Sequence, residues 1–170
     1  MKARRGWTAA RRWTAVAAGA VALAGTLSTA PATAAASAPA GHRVLTYADQ
    51  CLDLAAGSPQ DGAQLVQNPC TGGGSQNFSF DSGSLYEQQV NTFTGKCWDV
   101  PGNSHQYGVI QYYCNGASNQ RFRFVPTGAG RYEIRTNLGW CLTAIEGTVP
   151  GARLHLYPCT GESIQQFYVS

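Results

Sequence analysis

Six cysteines, two aspartates and three glutamines are the residues of this chain whose types and spacing could do chemistry. The cysteines fall in pairs: Cys51 with Cys70, Cys97 with Cys114 and Cys141 with Cys159, separated by 19, 17 and 18 positions. No C-x-x-C is present, and His42, His105 and His155 do not form an H-x-x-x-H spacing, so no metal site is expected. Asp53 and Asp99 each stand two residues after the first cysteine of a pair. Glycoside hydrolysis needs two carboxyls about 5–10 Å apart. Asp53 and Asp99 occupy equivalent places in different copies of a repeat, which should hold them far apart. G-x-S-x-G and H-E-x-x-H are absent, and pairing all six cysteines leaves no thiol nucleophile. No catalysis and no cofactor are expected; what remains is recognition by hydrogen bonds.

These residues repeat with one period. The first cysteines of the three pairs are 46 and 44 residues apart. Each copy then closes on C-x-G-x-x-x-Q-x-F: Cys70 to Gln76 and Phe78, Cys114 to Gln120 and Phe122, Cys159 to Gln165 and Phe167. Six cysteines allow 15 pairings. The repeat selects one, in which Cys51–Cys70, Cys97–Cys114 and Cys141–Cys159 each close a loop inside their own copy. Such a loop contributes about 3 kcal/mol if unstrained.

The elements that must position these groups are short strands. Runs at 43–47, 52–54, 64–67 and 78–80 are broken by Gly, Pro and Asp, and the pattern returns at 84–90, 98–100, 109–113 and 121–125, then at 131–135, 140–143, 153–157 and 166–169. That predicts about four strands per repeat and twelve in all, with no sustained helical period. One repeat alone cannot bury its apolar face. Three packed round an axis can, with Phe78, Phe122 and Phe167 as equivalent core plugs. Trp98 stands where the other copies have Leu, which predicts a core role.

Charge and composition narrow the class. Five of the twelve Lys/Arg lie in the first dozen residues; from Ala35 onward seven Lys/Arg face nine Asp/Glu, a net near −2. A basic surface for nucleic acid is therefore excluded as the main theme. Residues 1–34 read as an export signal peptide: a basic start, an apolar run near 14 residues long, and a cleavage site at Ala32-Thr33-Ala34 or Ala34-Ala35-Ala36. The run is shorter than the roughly 20 residues that span a bilayer. A secreted, extracellular chain with no membrane span after signal removal is expected, through Sec or, from Arg11-Arg12, the twin-arginine route. Residues 35–42 read as a flexible linker. Repeats of about 43–82, 83–127 and 128–170 then form one domain, with no partner domain.

Three repeats of about 44 residues, each with a C-L-D-like start, a paired second cysteine and a closing Q-x-F, resemble the ricin-B-type lectin domain. The resemblance covers residues 43–170. It implies an all-β fold, a β-trefoil of three pseudo-symmetric four-stranded repeats, with a six-stranded barrel capped by three hairpins. One departure is Phe in place of Trp at every closing aromatic; both fill a core.

The resemblance also implies carbohydrate binding without chemistry, in a shallow pocket on each repeat. An Asp accepts hydrogen bonds from neighbouring sugar hydroxyls, an aromatic ring covers the sugar's apolar face, and Asn and Gln both donate and accept. The second repeat keeps Asp99, Tyr112, Asn119 and Gln120, with Ile110 where Gln is common; His105 and Tyr107 are placed to line its rim. The first keeps Asp53 and Gln76, but has Val66, Asn68 and Ser75 at the other positions. The third keeps Tyr157, with His155 at the polar position, Thr143 for the Asp and Ile164 for the Asn. The expected ligand is a galactose- or xylan-type sugar, held best in the second repeat. A trefoil that binds protein, as an inhibitor or adhesion module, is the competing reading. Because the Gln recurs in all three copies, a structural role is expected for it first and sugar contact second. Tyr112 and Tyr113 are neighbours, and strand alternation should turn one of them inward.

Overall fold

The computed structural model describes residues 41–84, 86–104 and 108–170. The signal peptide expected at 1–34 and all but the end of the 35–42 linker lie outside the described residues, as do His105 and Tyr107. Within them no helix is long and apolar enough to cross a membrane.

Eleven strands are present among the described residues: β1 (Val44–Thr46), β2 (Cys51–Leu54), β3 (Leu65–Asn68), β4 (Cys97–Asp99), β5 (Ile110–Tyr112), β6 (Phe122–Gly128), β7 (Arg131–Thr136), β8 (Trp140–Thr143), β9 (Ala152–Arg153), β10 (His155–Pro158) and β11 (Phe167–Val169). Among the described residues helical structure is limited to single 3-10 turns. Every strand pairing is antiparallel. β1 pairs with β11, Val44 against Val169, so the two ends of the domain close on each other. The pairs β2–β3, β4–β5 and β8–β10 each carry the first cysteine of a repeat on their first strand. This is the β-trefoil arrangement.

Three details differ from the expected twelve strands. Segments 78–80 and 84–90 make isolated bridges, Ser79 with Asn91 and Gln88 with Phe122, rather than a full ladder. The Gln88 backbone keeps its pair with Phe122, and its side chain adds a clamp: Oε1 accepts from the Asp81 amide at 2.8 Å and Nε2 donates to the Asp81 carbonyl at 2.8 Å. The run 153–157 divides at Leu154, whose amide donates to Leu65 O in the first repeat at 3.1 Å. The fold also reaches back into the expected linker, because His42 exchanges both backbone hydrogen bonds with Phe78 (2.7 and 2.9 Å).

The core repeats with the sequence. Leu52, Trp98 and Leu142 follow the first cysteines and are fully buried, and so are Phe78, Phe122 and Phe167. The Trp98 ring meets Phe78 and Phe122 edge-on at 5.0 and 5.5 Å, filling the axis with one large side chain where the other copies place leucine. The three disulfides join the cysteines that the repeat pairs, with Cα–Cα separations of 5.0, 5.1 and 5.0 Å.

Glutamines three residues before the second cysteine lock the repeats to one another. Gln111 Nε2 donates to Ser58 O and Gln60 O, both at 2.7 Å, in the first repeat. Gln67 Nε2 donates to Gly147 O and Val149 O at 2.6 and 3.2 Å, in the third. The third repeat has buried Leu156 at this position. There the second and third repeats meet by backbone approach: a Cβ on Gly108 (φ +69°) would lie 2.7 Å from Leu154 O, so only glycine fits.

Candidate carbohydrate site

One module is built three times, and the glutamine of the closing motif is its centre. In the second repeat Gln120 is fully buried. Its Nε2 donates to Asp99 Oδ2 at 2.9 Å and to Tyr113 O at 2.8 Å, while its Oε1 accepts from the Asn115 amide at 2.9 Å. Gln76 likewise donates to Asp53 Oδ2 and Pro69 O (3.1 and 3.0 Å) and accepts from Thr71 N at 2.8 Å. Gln165 donates to Thr143 Oγ1 and Pro158 O (3.1 and 2.9 Å) and accepts from Thr160 N at 2.7 Å. In every copy both amide hydrogens are spent inside the protein. Gln76 and Gln120 therefore orient the aspartates from behind and have no surface to offer a ligand.

Ahead of that support the second repeat forms a depression of about 270 Å³. Asp99, Ile110, Tyr112 and Asn119 line it together, with Pro101, Gly102 and Asn115 around them. Asp99 and Ile110 face each other across the β4–β5 pair. Ile110 and Tyr112 lie two apart on β5 and so share a face, while Gln111 between them points inward and is fully buried. Tyr112 is 36% exposed. Tyr113 faces out as well, because β5 ends at Tyr112 and alternation stops there; the two rings lie 4.6 Å apart. Asn119 Nδ2 donates to Val100 O at 3.2 Å, which fixes its amide at the pocket.

Asp99 is only 4% exposed, yet it lines this depression. Burial raises its carboxyl above the ordinary aspartate range, against an opposing pull from the Gln120 and Asn119 amides. Asn115 is a lining residue that sequence reasoning missed. Its place directly after Cys114 was the available signal.

The first repeat uses the same parts differently. Asn68, at the position of Tyr112, donates from Nδ2 to Asp53 Oδ2 at 3.0 Å and accepts from Gly151 N at 2.9 Å. Asn68 thus puts an internal donor on the carboxylate. Asp53 Oδ1 is buried with no hydrogen-bond partner. In the third repeat Tyr157, Thr143 and Ile164 border a depression of about 260 Å³ that has no aspartate. His155 pairs with Thr143 in register, and its ring lies 6.2 Å from that of Tyr157. Trp140 packs partly buried against the core. Glu133 lies beside the Cys141–Cys159 disulfide, whose sulfurs are bonded to each other and so present no thiolate to a metal.

Comparison with known proteins agrees with this architecture. Residues 86–170 match the ricin-type beta-trefoil lectin domain. Among solved structures, the designed threefold-symmetric protein ThreeFoil is 30% identical, with 75% of this chain and 96% of that one covered and a TM-score of 0.69. The exo-beta-1,3-galactanase of Clostridium thermocellum is 23% identical with a TM-score of 0.70; the match covers 78% of this chain and 30% of the galactanase. The Macrolepiota procera ricin B-like lectin, solved with lactose, is 14% identical, with 78% and 96% covered and a TM-score of 0.61. No curated protein matches by sequence.

Proposed function

This chain belongs to the ricin-type β-trefoil lectin family, and from that premise we propose that it is a secreted, non-catalytic carbohydrate-binding module whose working site is the second-repeat depression. The ligand is a galactose- or xylan-type sugar. Asp99 accepts from two neighbouring hydroxyls, Tyr112 covers the apolar C–H face, and Asn119 completes the polar edge. Asp53 belongs to a weak or altered first-repeat site, and Tyr157 to a third-repeat site that is degenerate for sugar because it has no aspartate. One observation carries the reading: Asp99, Tyr112 and Asn119 line a single depression, with Gln120 holding the carboxylate from below.

Binding rather than hydrolysis is supported by the donor set. Asp99 is the one carboxyl among the described lining residues, whereas glycoside hydrolysis uses two. Secretion is supported by three disulfides, which persist in oxidising compartments. A glycan array read with the wild-type protein and Asp99→Asn tests the proposal. The substitution keeps the volume and an acceptor for Gln120 but removes the charge, so signal on galactose- or xylan-type glycans should fall about tenfold or more. Undiminished binding by that variant, or equal loss from Asp53→Asn, would show that the site has been misplaced.

A further inference from the structure

The third-repeat depression sits where the Asp99 pocket sits in the second repeat, yet it offers a ligand a different surface. Its wall is Ile145, Tyr157, Pro158 and Ile164. Three of the polar side chains bordering it are already engaged within the protein. Gln165 is saturated as described, the Thr160 hydroxyl lies 3.2 Å from Gln165 Oε1, and Thr143 Oγ1 donates to Cys141 O at 2.9 Å. Thr143 stands where Asp99 stands in the second repeat, so a sugar entering here would lack the buried, oriented acceptor of that pocket.

The local charge supplies the second half of the argument. Glu162 lines the same depression, and Glu146 adjoins Ile145 in the chain. The ion pairs among the described residues are Lys96–Asp61 and Arg135–Glu133, so neither of these carboxylates is neutralised by one. Tyr157 is 44% exposed. An apolar wall, an open aromatic ring and a carboxylate on the edge complement a cation whose charge is spread over an apolar shell. The volume of about 260 Å³ exceeds the ~150 Å³ of a cavity that holds a benzene ring. We propose that the third-repeat depression, with Tyr157 and Glu162, binds a quaternary ammonium group. The site lies on a different repeat from Asp99 and does not depend on the glycan reading. Soluble choline and a phosphatidylcholine headgroup share the chemistry.

Nuclear magnetic resonance of protein labelled at isoleucine methyls and tyrosine rings, titrated with choline, tests it. Saturable shifts should appear at Ile145, Ile164 and Tyr157. Glu162→Gln, an exposed change that leaves the fold alone, should weaken choline binding about fivefold, and 3,3-dimethylbutan-1-ol, which has the same shape without charge, should bind about tenfold less tightly. Asp99→Asn should leave choline binding unchanged, which separates this site from the sugar site. Choline-competable, Glu162-dependent co-sedimentation with phosphatidylcholine vesicles would identify the headgroup as the source, and choline shifts without co-sedimentation would identify a soluble ligand; both support the site. The proposal is overturned if choline gives no saturable shift, if the neutral isostere binds as well, if Glu162→Gln has no effect, or if galactose or xylobiose shifts the same probes instead.

Discussion

Replacing Gln120 by leucine keeps an apolar stem in the core and removes every hydrogen bond of the amide. Asp99 Oδ2 loses its 2.9 Å donor, Tyr113 O loses a donor at 2.8 Å, and Asn115 N and Gln89 Nε2 lose their shared acceptor, at 2.9 and 3.2 Å. The bond to a carboxylate is worth about 1.5–3 kcal/mol and each neutral bond about 0.5–1.5 kcal/mol. These losses overlap, so we expect a destabilisation of about 3–4 kcal/mol, a large part of the roughly 5–15 kcal/mol that holds a domain together. The third repeat supplies an internal control. Gln165→Leu removes bonds to Pro158 O and Thr160 N as well, but its side-chain partner is the neutral Thr143 hydroxyl. It should cost about 1 kcal/mol less, by the difference between charged and neutral acceptors. Urea unfolding of both variants at neutral pH, beside glycan binding, measures the comparison. Gln120→Leu should also lose most glycan binding, because Asp99 is no longer oriented, while Gln165→Leu should keep it. Equal costs for the two would refute the role assigned to the carboxylate. A Gln120→Leu protein with wild-type stability would refute the supporting role of the glutamine altogether.

Three further outcomes follow from the same geometry. Burial raises the Asp99 carboxyl, so the folded state holds that proton to a higher pH than the unfolded chain does; the group contributes stability below the ordinary carboxylate range of about 4 and loses it as pH rises through the raised value. Asp99→Asn should therefore unfold at the same or a higher temperature than wild type at pH 7, with the difference vanishing in acid, and wild-type glycan affinity should begin to fall at a higher pH than an exposed aspartate would dictate. Gln111→Leu releases Ser58 O and Gln60 O, so hydrogen exchange at Gly62 and Ala63 should speed up at a stability cost of about 2 kcal/mol; unchanged protection would mean that the clamp is idle. Asn68→Tyr takes the internal donor off Asp53 and supplies the missing ring. Calorimetric stoichiometry for sugar should rise by one site per chain, and unchanged stoichiometry would show that Asn68 is not what closes the first repeat.

What the sequence made legible was whatever the repeat encodes directly. The cysteine pairs, the three core phenylalanines and Trp98 at a leucine position are fixed by spacing and burial, and both survive averaging over neighbours. Alternation predicted that one of Tyr112 and Tyr113 would turn inward; both face out, because alternation cannot say where a strand ends, and β5 ends one residue before Tyr113. In place of the strand expected over 84–90, Gln88 makes an isolated bridge to Phe122 and clamps Asp81 with its side chain, and composition does not signal that. The closure of the first repeat was only half legible. Asn68 was visible as a lost aromatic, but its amide on Asp53 depends on a side-chain direction that one-dimensional spacing does not carry.

The division of labour inside each module explains how three copies of one fold can diverge so far. The buried glutamine satisfies a carbonyl before the second cysteine and an amide after it in every repeat, whatever stands at the aspartate position. The backbone turn is therefore held by bonds that do not involve the ligand face. Asp99 can become Thr143, and Asn119 can become Ile164, without removing a backbone partner. By the same argument, replacing the glutamine should loosen the turn whatever the ligand chemistry. In a set of variants, substitutions at Asp99, Tyr112 and Asn119 should sort by binding and those at Gln76 and Gln165 by stability, while those at Gln120, which holds Asp99, should change both. A variant at Tyr112 that loses stability and keeps binding would contradict this separation, because that exposed ring would then be serving the framework rather than the sugar.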